Sequence, residues 1–385
     1  MIDARLALIA LAVVGVAGEA AAAPIQQPVA RHASKGRPIA PDSGVRELRS
    51  GYTYVTYRQV VTDATGGAGA TIFQADPALG LEDAHSLAEI AVQSADFHQI
   101  VEIGWTVDLE VNDDLQPHLF VYHWVDSTQS CYNGCGWVQI SPNKRPGMRV
   151  EVGQWHRYEI KLIGDDWWLL YDSEPMGYFP GTLWGQRFHA AGVVQWFGEV
   201  GSRTDEPCAE MGNGERGDAP SSAAFDDLHL FDASGAAVTA VGQRNEITRP
   251  ELFDIGRTSI TTFGFGGPGA TTGCCKPMSC AAVGAECGAL ADPACPDHVL
   301  ECGVCSEGDT CVDHQCALGL GPRDDGDLFI GPPLDGRYPA GTGPDAGDAL
   351  ERPSGGCCAA HDGSAGHLVL AAVVAGLLGR RRRPR

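Results

Sequence analysis

Val101-Glu102-Ile103-Gly104-Trp105-Thr106-Val107 decides the fold of this chain, because its apolar residues recur at every second position. A period of two is typical of a β-strand, whose successive side chains point to opposite faces of a sheet. The odd-numbered residues, all apolar, therefore share one face, and the even-numbered residues, beginning with Glu102, share the other. The stretch predicts a strand with one face packed in a core.

Val194-Gln195-Trp196-Phe197-Gly198-Glu199-Val200 is a second strand of the same kind. Its even-numbered positions form the apolar row, and Gln195, Phe197 and Glu199 face the other way. In both strands a glutamate stands opposite an apolar row, near a glycine that leaves room for the backbone of a ligand. The ordinary alternative is a glutamate on a solvated sheet face, and the alternation alone does not separate the two.

Short runs of this type, broken by Gly, Pro, Asn and Asp, continue through residues 51–269. They lie at 52–57, 101–109, 118–125, 137–140, 158–163, 167–171, 193–200 and 224–231. Many short strands at this spacing predict an all-β domain, either an antiparallel sandwich or a barrel. Gly164-Asp165-Asp166 is expected to form a hairpin turn. Residues 83–93 alone have a spacing compatible with a helix, and that stretch stays ambiguous.

Composition divides the 385 residues into six segments. They are a signal peptide (1–23), a leader or short propeptide (24–50), the β-rich domain (51–269), a Cys-rich disulfide module (274–316), a disordered linker (317–356) and a C-terminal sorting or anchor tail (357–385).

Both ends of the chain carry targeting signals. Arg5 precedes an apolar stretch at 6–17 and small residues at 20–23, the pattern of a signal peptide. At the other end, Cys357 and Cys358 precede an apolar run at 368–378 and a cluster of arginines, a stop-transfer arrangement. A buried segment is the alternative for this short run. The order of elements resembles the MYXO-CTERM type of sorting signal, which implies retention at the cell surface.

The charge of the chain excludes one class of partner. Its formal net charge is −22, although five basic residues stand at the extreme C-terminus. So acidic a surface repels phosphate backbones, and we expect no nucleic-acid partner. The sequence makes no prediction of the oligomeric state.

Export predicts that the 14 cysteines are oxidised. Eight of them lie in the module between Cys275 and Cys316, enough for four bridges whose pairing the sequence leaves open. Cys274 is left over and has Cys208 as a candidate partner. Cys131 and Cys135 are close enough to form a local disulfide.

No cofactor or metal is expected. Residues 264–269 have the letters of a GxGxxG nucleotide motif, but the Ala-Thr-Thr-Gly-Cys-Cys that follows them does not predict a helix. The sequence contains neither a GxSxG elbow nor an HExxH zinc helix. The CxxC at 302–305 lies among other cysteines, which favours a structural disulfide over a redox or zinc site.

The remaining motifs resemble the neprosin family of glutamic peptidases. The motifs that carry the resemblance, with the family form in parentheses, are Glu102-Ile103-Gly104-Trp105 (EaGW), His118-Leu119-Phe120-Val121-Tyr122-His123-Trp124 (RLFtYWT), Cys131-Tyr132-Asn133-Gly134-Cys135-Gly136-Trp137-Val138-Gln139 (GCYNLxCxGFVQ), Trp167-Trp168-Leu169 (NWWL), Gly177-Tyr178-Phe179-Pro180 (GYWP), Trp196-Phe197-Gly198-Glu199-Val200 (wGGEV) and Gly266-Gly267-Pro268-Gly269 (GGPG).

This resemblance implies a two-sheet antiparallel β-sandwich with an active-site groove on one sheet. It implies an endopeptidase that acts in acid, often after proline, with Glu102 and Glu199 as the catalytic pair. Three features depart from the family pattern: a shorter spacing between Cys131 and Cys135, an additional His123, and Phe197 in place of a glycine. The departures bear on substrate preference more than on the two glutamates. The leader is shorter than the propeptide of plant members, which argues against zymogen control.

A peptide or protein substrate follows from the resemblance, and five residues are candidates to bind it. Four are aromatic residues that could hold a proline ring, with core packing as their more common role, and the fifth lies on the same strand face as Glu199: Trp105, Tyr122, Trp124, Phe197 and Gln195. Two other functions stay open. A catalytically inactive surface sandwich could bind glycans or peptides, and two carboxylates on a sheet also suit a glycoside hydrolase.

Overall fold

The computed structural model describes residues 25–38, 51–61, 65–257 and 259–318. The predicted signal peptide, most of the predicted linker and the predicted C-terminal tail lie outside these ranges. Within it, two large antiparallel sheets form the β-sandwich. In spatial order, the first sheet consists of β14 (Arg244–Ile247), β1 (Tyr52–Val60), β11 (Val193–Ser202), β3 (Asp83–Gln93), β4 (Ile100–Asp108), β5 (His118–Val125) and β6 (Thr128–Gln129).

The second sheet has nine strands, eight of them in one continuous order. These are β15 (Asp254–Arg257), β16 (Phe263–Gly266), β12 (Ala224–Phe231), β2 (Gly67–Phe73), β8 (Trp155–Ile163), β9 (Asp166–Tyr171), β10 (Glu174–Phe179) and β7 (Val138–Gln139), and β13 (Ala237–Thr239) pairs with β12. Helix in the described residues is limited to α1 (Leu109–Asn112) and a 3-10 turn (Gly181–Trp184). No helix in that part of the chain is both long and apolar enough to cross a membrane.

The expected all-β sandwich is confirmed. Strands β8 and β9 join through the expected turn, with Ile163 paired to Asp166. The ambiguous stretch is strand β3, not a helix, and it pairs with β11 on one side and β4 on the other. Its residues from His85 to Gln93 are all buried. Apolar residues occur on both faces of β3, with Leu87 and Ala91 on one and Ala88, Ile90 and Val92 on the other, so its sequence has no single apolar row.

The core lies between the two sheets and contains side chains from both. Two indoles also donate hydrogen bonds from the first sheet to the backbone of the second. Trp105 Nε1 lies 3.1 Å from the Phe73 carbonyl oxygen, and Trp196 Nε1 lies 3.2 Å from that of Gly69. A buried indole N–H needs such a partner, so these bonds fix how the sheets face each other.

The Cys-rich module forms two small hairpins, β17 (Ala289–Ala291) with β18 (Val299–Glu301) and β19 (Asp309–Val312) with β20 (Gln315–Leu318). Its four disulfides join Cys275 to Cys295, Cys280 to Cys302, Cys287 to Cys311 and Cys305 to Cys316. Cys131 is bonded to Cys135, and Cys208 to Cys274. Both candidate pairs from the sequence are therefore present, and the second ties the module to the sandwich.

Candidate active site

Three glutamates lie together on the outer face of the first sheet, the face turned away from the second sheet. Glu102 is on β4, Glu199 is on β11, and Glu89 is on β3, the strand between them. Glu89 pairs with Gly104 on one side and Phe197 on the other. All three side chains are fully buried. We call these three residues the carboxylate cluster.

A lysine from the leader fills the centre of the carboxylate cluster. Lys35 Nζ lies 2.7 Å from Glu89 Oε1, 3.3 Å from Glu199 Oε2 and 3.7 Å from Glu102 Oε2. Its side chain is as inaccessible to solvent as the glutamates. The two glutamates predicted as a catalytic pair therefore lie on the same sheet face and within 4 Å of one atom.

The peptide backbone of the leader is also held on this face. Gly36 N donates to Glu199 Oε1 at 2.9 Å, and Gln129 Nε2 donates to the Lys35 carbonyl oxygen at 2.7 Å. Arg31 and Tyr132 exchange two backbone hydrogen bonds of 3.0 and 2.9 Å, as neighbouring strands do. The leader thus lies across the site in the manner of a bound peptide.

The close approach of the leader to the site requires a glycine at position 36. A Cβ atom at position 36 would lie 2.1 Å from Tyr54 Oη and 2.7 Å from Glu199 Cδ. Gly36 allows the backbone to approach the carboxylate closely enough for its N–H to donate.

Different partners hold the two predicted catalytic side chains. His85 Nε2 lies 2.8 Å from Glu199 Oε1, and its other ring nitrogen lies 3.7 Å from Asp108 Oδ2. Trp124 Nε1 donates to Glu102 Oε1 at 3.1 Å. The second oxygen of Glu102 has no hydrogen-bond donor among the described residues. Glu199 therefore accepts more hydrogen bonds than Glu102.

This difference separates the pKa values of the two glutamates. Burial opposes ionisation of Glu199, but the Lys35 charge, the His85 hydrogen bond and the Gly36 N–H outweigh it and lower the pKa. Burial raises the pKa of Glu102 to about 7, and the Lys35 charge only partly offsets it. Burial also raises the pKa of Glu89 well above its ordinary value. Environments that split two carboxyls in this way favour one base and one acid.

The Lys35 ammonium stays charged at this depth. Burial alone would lower the pKa of Lys35, but the three surrounding carboxylates outweigh burial and raise it. The cation and the carboxylate cluster therefore stabilise each other's ionised forms.

Four of the five candidate substrate-binding residues share the outer face with the glutamates. Trp124 contacts Glu102, and Tyr122 packs against Trp124 with ring centroids 5.7 Å apart. The Phe197 ring centroid lies 5.7 Å from Lys35 Nζ. Gln195 is buried two residues before Phe197 on the same strand.

Trp105, the fifth candidate, lies on the other face of the sheet. Its side chain belongs to the core between the sheets and donates to the backbone of the second sheet. That position gives Trp105 a packing role and removes it from the site. The additional His123 also points between the sheets, where it contacts Phe179 and Trp184.

Sequence reasoning missed Lys35, Glu89 and His85. Glu89 and His85 lie in the stretch whose period did not distinguish strand from helix. Lys35 lies in a leader without periodicity, although one signal was present: Arg31, Lys35 and Arg37 are three cations within seven residues of an acidic chain.

Clusters of potential metal ligands occur at two places in the described residues, and neither involves the glutamates. They are His32 with Cys131 and Cys135, and Cys287 with Cys305 and Cys316. Every cysteine in these groups is bonded in a disulfide, so its sulfur is not available as a thiolate ligand.

The three strands that carry the carboxylate cluster lie within one known family pattern. Residues 82–268 match the neprosin family. The match supports a neprosin-type peptidase, and with it a peptide or protein substrate. Lys35 lies N-terminal to the matched residues.

Solved structures similar to this chain include two peptidases and a lectin. Scytalido-glutamic peptidase with a peptide-based transition state analog has 10% identity and a TM-score of 0.33, and covers 57% of this chain and 98% of its own. SCP-B, a member of the Eqolisin family bound to Ala-Ile-His, has 9% identity and a TM-score of 0.34 at the same coverage. Galectin LEC-6 from Caenorhabditis elegans has 10% identity and a TM-score of 0.21, and covers 37% of this chain and 88% of its own. At these TM-scores, none of the three bears on the activity of this chain.

Proposed function

We propose that the β-sandwich domain is a glutamic endopeptidase of the neprosin type, in which Glu102 and Glu199 act together on one water molecule. The observation that supports this most strongly is their position on a single sheet face, each within 4 Å of Lys35 Nζ. A site of this size can hold one water molecule in reach of both carboxyls once the ammonium has left.

In the proposed reaction, ionised Glu199 accepts a proton from water as the water oxygen attacks the scissile carbonyl carbon. Protonated Glu102 donates its proton to the leaving nitrogen as the C–N bond breaks. The products are a carboxylic acid and an amine. Transfer of the proton from Glu199 back to Glu102 restores the starting state. The His85 hydrogen bond to Glu199 and the burial of Glu102 support this assignment of roles.

The reaction requires the leader to leave the site. Lys35 Nζ occupies the space between the two carboxylates, and Gly36 N–H occupies an oxygen of Glu199. Neither water nor a substrate carbonyl reaches the pair while these groups are in place.

Acid conditions suit this division of roles. Turnover needs protonated Glu102, so the rate falls as pH rises through the pKa of that group. It also needs ionised Glu199, which the His85 hydrogen bond continues to favour after Lys35 and Gly36 have left. We propose substrates that contain proline, with the ring held by the aromatic side chains of Tyr122, Trp124 and Phe197.

The test is a peptide-library digest by the full chain at pH values below and above neutrality, with Glu102→Gln and Glu199→Gln as variants. Each variant should lose about 10²- to 10⁴-fold in turnover, the usual contribution of a general acid or base. Glu246→Gln, on β14 of the same sheet, is the matched control and should retain wild-type turnover.

Circular dichroism must show that the variants are folded. If folded Glu102→Gln and Glu199→Gln both retain wild-type rates, the assignment is wrong. A reducing-sugar assay on the same proteins tests the glycosidase alternative. Release of reducing sugar that is lost in Glu102→Gln would favour a glycosidase.

We also propose that the chain is exported and attached to the cell surface. Six disulfides within the described residues are typical of an oxidising compartment. Cell fractionation with and without residues 357–385 tests the attachment. The truncated chain should appear in the medium, and its retention at the cell surface would contradict the role of the tail.

A further inference from the structure

Glu89 is the one carboxylate of the cluster that a two-glutamate mechanism does not use. It nevertheless makes the shortest contact with the lysine, at 2.7 Å. Its other oxygen, Oε2, is buried and has no hydrogen-bond donor among the described residues. An isolated buried carboxylate costs free energy. Glu89 therefore needs a cationic partner, which neither Glu102 nor Glu199 provides.

The surroundings of Lys35 Nζ match the requirements of a primary ammonium group. Such a group has three N–H donors. The acceptors within 3.3 Å are Glu89 Oε1, Glu199 Oε2 and the Gly36 carbonyl oxygen. The Glu102 carboxylate at 3.7 Å adds a further negative charge, and the Phe197 ring adds a weaker attraction from 5.7 Å.

We propose that the carboxylate cluster is a binding site for a primary alkylammonium group, and that Glu89 is the residue that selects this group. Lys35 is the built-in occupant. Lysine side chains of other peptides and small linear amines are ligands of the same class. A quaternary ammonium lacks the three donors, and a neutral alcohol lacks the charge.

A bound amine has a consequence for the peptidase proposed above. It occupies the space between Glu102 and Glu199, so ligands of this class inhibit hydrolysis. The inhibition rests on the proposed function, whereas the binding does not.

The binding test uses the full chain with Lys35→Ala. This substitution removes three carbons and the ammonium, and n-propylammonium has the same atoms. It should raise the melting temperature of Lys35→Ala saturably, while n-propanol and tetramethylammonium should have little effect. Wild-type chain, whose site is filled, should not respond.

Glu89→Gln in the Lys35→Ala background tests the selecting residue. The apparent Kd for n-propylammonium should weaken at least about tenfold, because a neutral amide replaces the charged carboxylate that accepts from the ammonium. Equal stabilisation of the single and double variants would overturn the proposal. So would an equal response of the wild-type chain, or no response of folded Lys35→Ala.

A second measurement does not depend on the folding of Lys35→Ala. An amine-acylating reagent is applied to the wild-type chain and to Glu89→Gln, and modification is followed by peptide mass spectrometry. Lys144, which is 28% exposed, is the internal control. Lys35 should be protected in the wild-type chain and react at least about tenfold faster in Glu89→Gln, while Lys144 is unchanged. Equal protection of Lys35 in both proteins would refute the role of Glu89.

The two proposals fail in different ways. Binding of n-propylammonium without glutamate-dependent turnover would support the ammonium site and refute the proposed peptidase activity. Glutamate-dependent turnover without amine binding to folded Lys35→Ala would do the reverse.

Discussion

The two faces of the seven-stranded sheet are built from the same strands but are buried in different ways. The inner face carries apolar side chains such as Val101, Ile103 and Trp105 and packs against the second sheet. The outer face carries Glu102 and Glu199 and is covered by the leader. Hydrophobic burial stabilises the first face, whereas the second concentrates charge that costs free energy to bury. Strands that accept such a cost on one side are typical of a functional site.

Removal of the cation should produce the largest change in stability. Lys35→Met leaves the buried glutamates without a counter-charge and should lower the free energy of unfolding by about 3–5 kcal/mol near neutral pH. Without the cation the carboxyl pKa values of the folded state rise, so the stability of the variant falls as pH rises. Urea unfolding in acid and at neutral pH should therefore show a smaller loss in acid.

Lys144→Met is the control for this loss. Lys144 pairs with Asp172 at 3.6 Å on the surface of the domain, and such exposed pairs contribute about 0–1 kcal/mol. Equal losses for the two variants would mean that the outer face is not an ionic site.

Adding one methyl group at Gly36 should weaken the contact between the leader and the outer face of the sheet. Gly36→Ala places a Cβ against Tyr54 and Glu199, an overpacking that costs about 1–3 kcal/mol. Amide hydrogen exchange should speed up for the leader and stay unchanged in the inner-face strands. His32→Ala, at an exposed position of the same segment, should have no effect. Unchanged exchange in Gly36→Ala would contradict the close fit.

The same substitution on each face compares them directly. Trp105→Phe and Trp124→Phe each remove an indole hydrogen bond of 3.1 Å. Trp105→Phe should lower the free energy of unfolding by about 1–2 kcal/mol and leave the pH dependence of kcat/KM unchanged. Trp124→Phe removes a donor to ionised Glu102, so the pKa of that group rises further and the alkaline limit of activity moves up. An equal shift in both variants would show that the two faces are not independent.

The smallest effect is expected at Phe197, where the family pattern has a glycine. Phe197→Leu should change KM for proline-containing peptides by less than about tenfold and leave kcat unchanged, because in the proposed site the ring contacts the proline of the substrate and not the reacting atoms. Unfolding in urea provides the stability control. A large loss of kcat would place Phe197 in the catalytic step.

Sequence patterns were sufficient for strands with one apolar and one polar row. The stretches at 101–107 and 194–200 placed their glutamates on the correct face because only one face of each strand is apolar. β3 was ambiguous because apolar residues occur on both of its faces. β2 was missed because Gly and Ala predominate in it. A Cβ at Gly67 would lie 2.0 Å from the Ile160 carbonyl oxygen of β8, and one at Gly69 would meet the side chains of His229 and Glu159.

The site was predictable only in part. Glu102 and Glu199 followed from the resemblance to a known family, supported by their strand faces. Their meeting with Lys35 and Glu89 depends on sheet register and on a leader with no periodic pattern, and neither is encoded in local sequence. The clustering of cations in the leader was the available signal, since the acidic remainder of the chain gives them an electrostatic partner.

The adjacent cysteines 274 and 275 are bonded in opposite directions, one to Cys208 of the sandwich and the other to Cys295 of the module. A pull from the C-terminal side therefore reaches the sandwich through a covalent bond at Cys208 and bypasses β16. A cut in the loop between Cys208 and Cys274 would leave both fragments joined. The Cys208–Cys274 disulfide would thus both transmit a mechanical load to the sandwich and hold the chain together after a proteolytic cut.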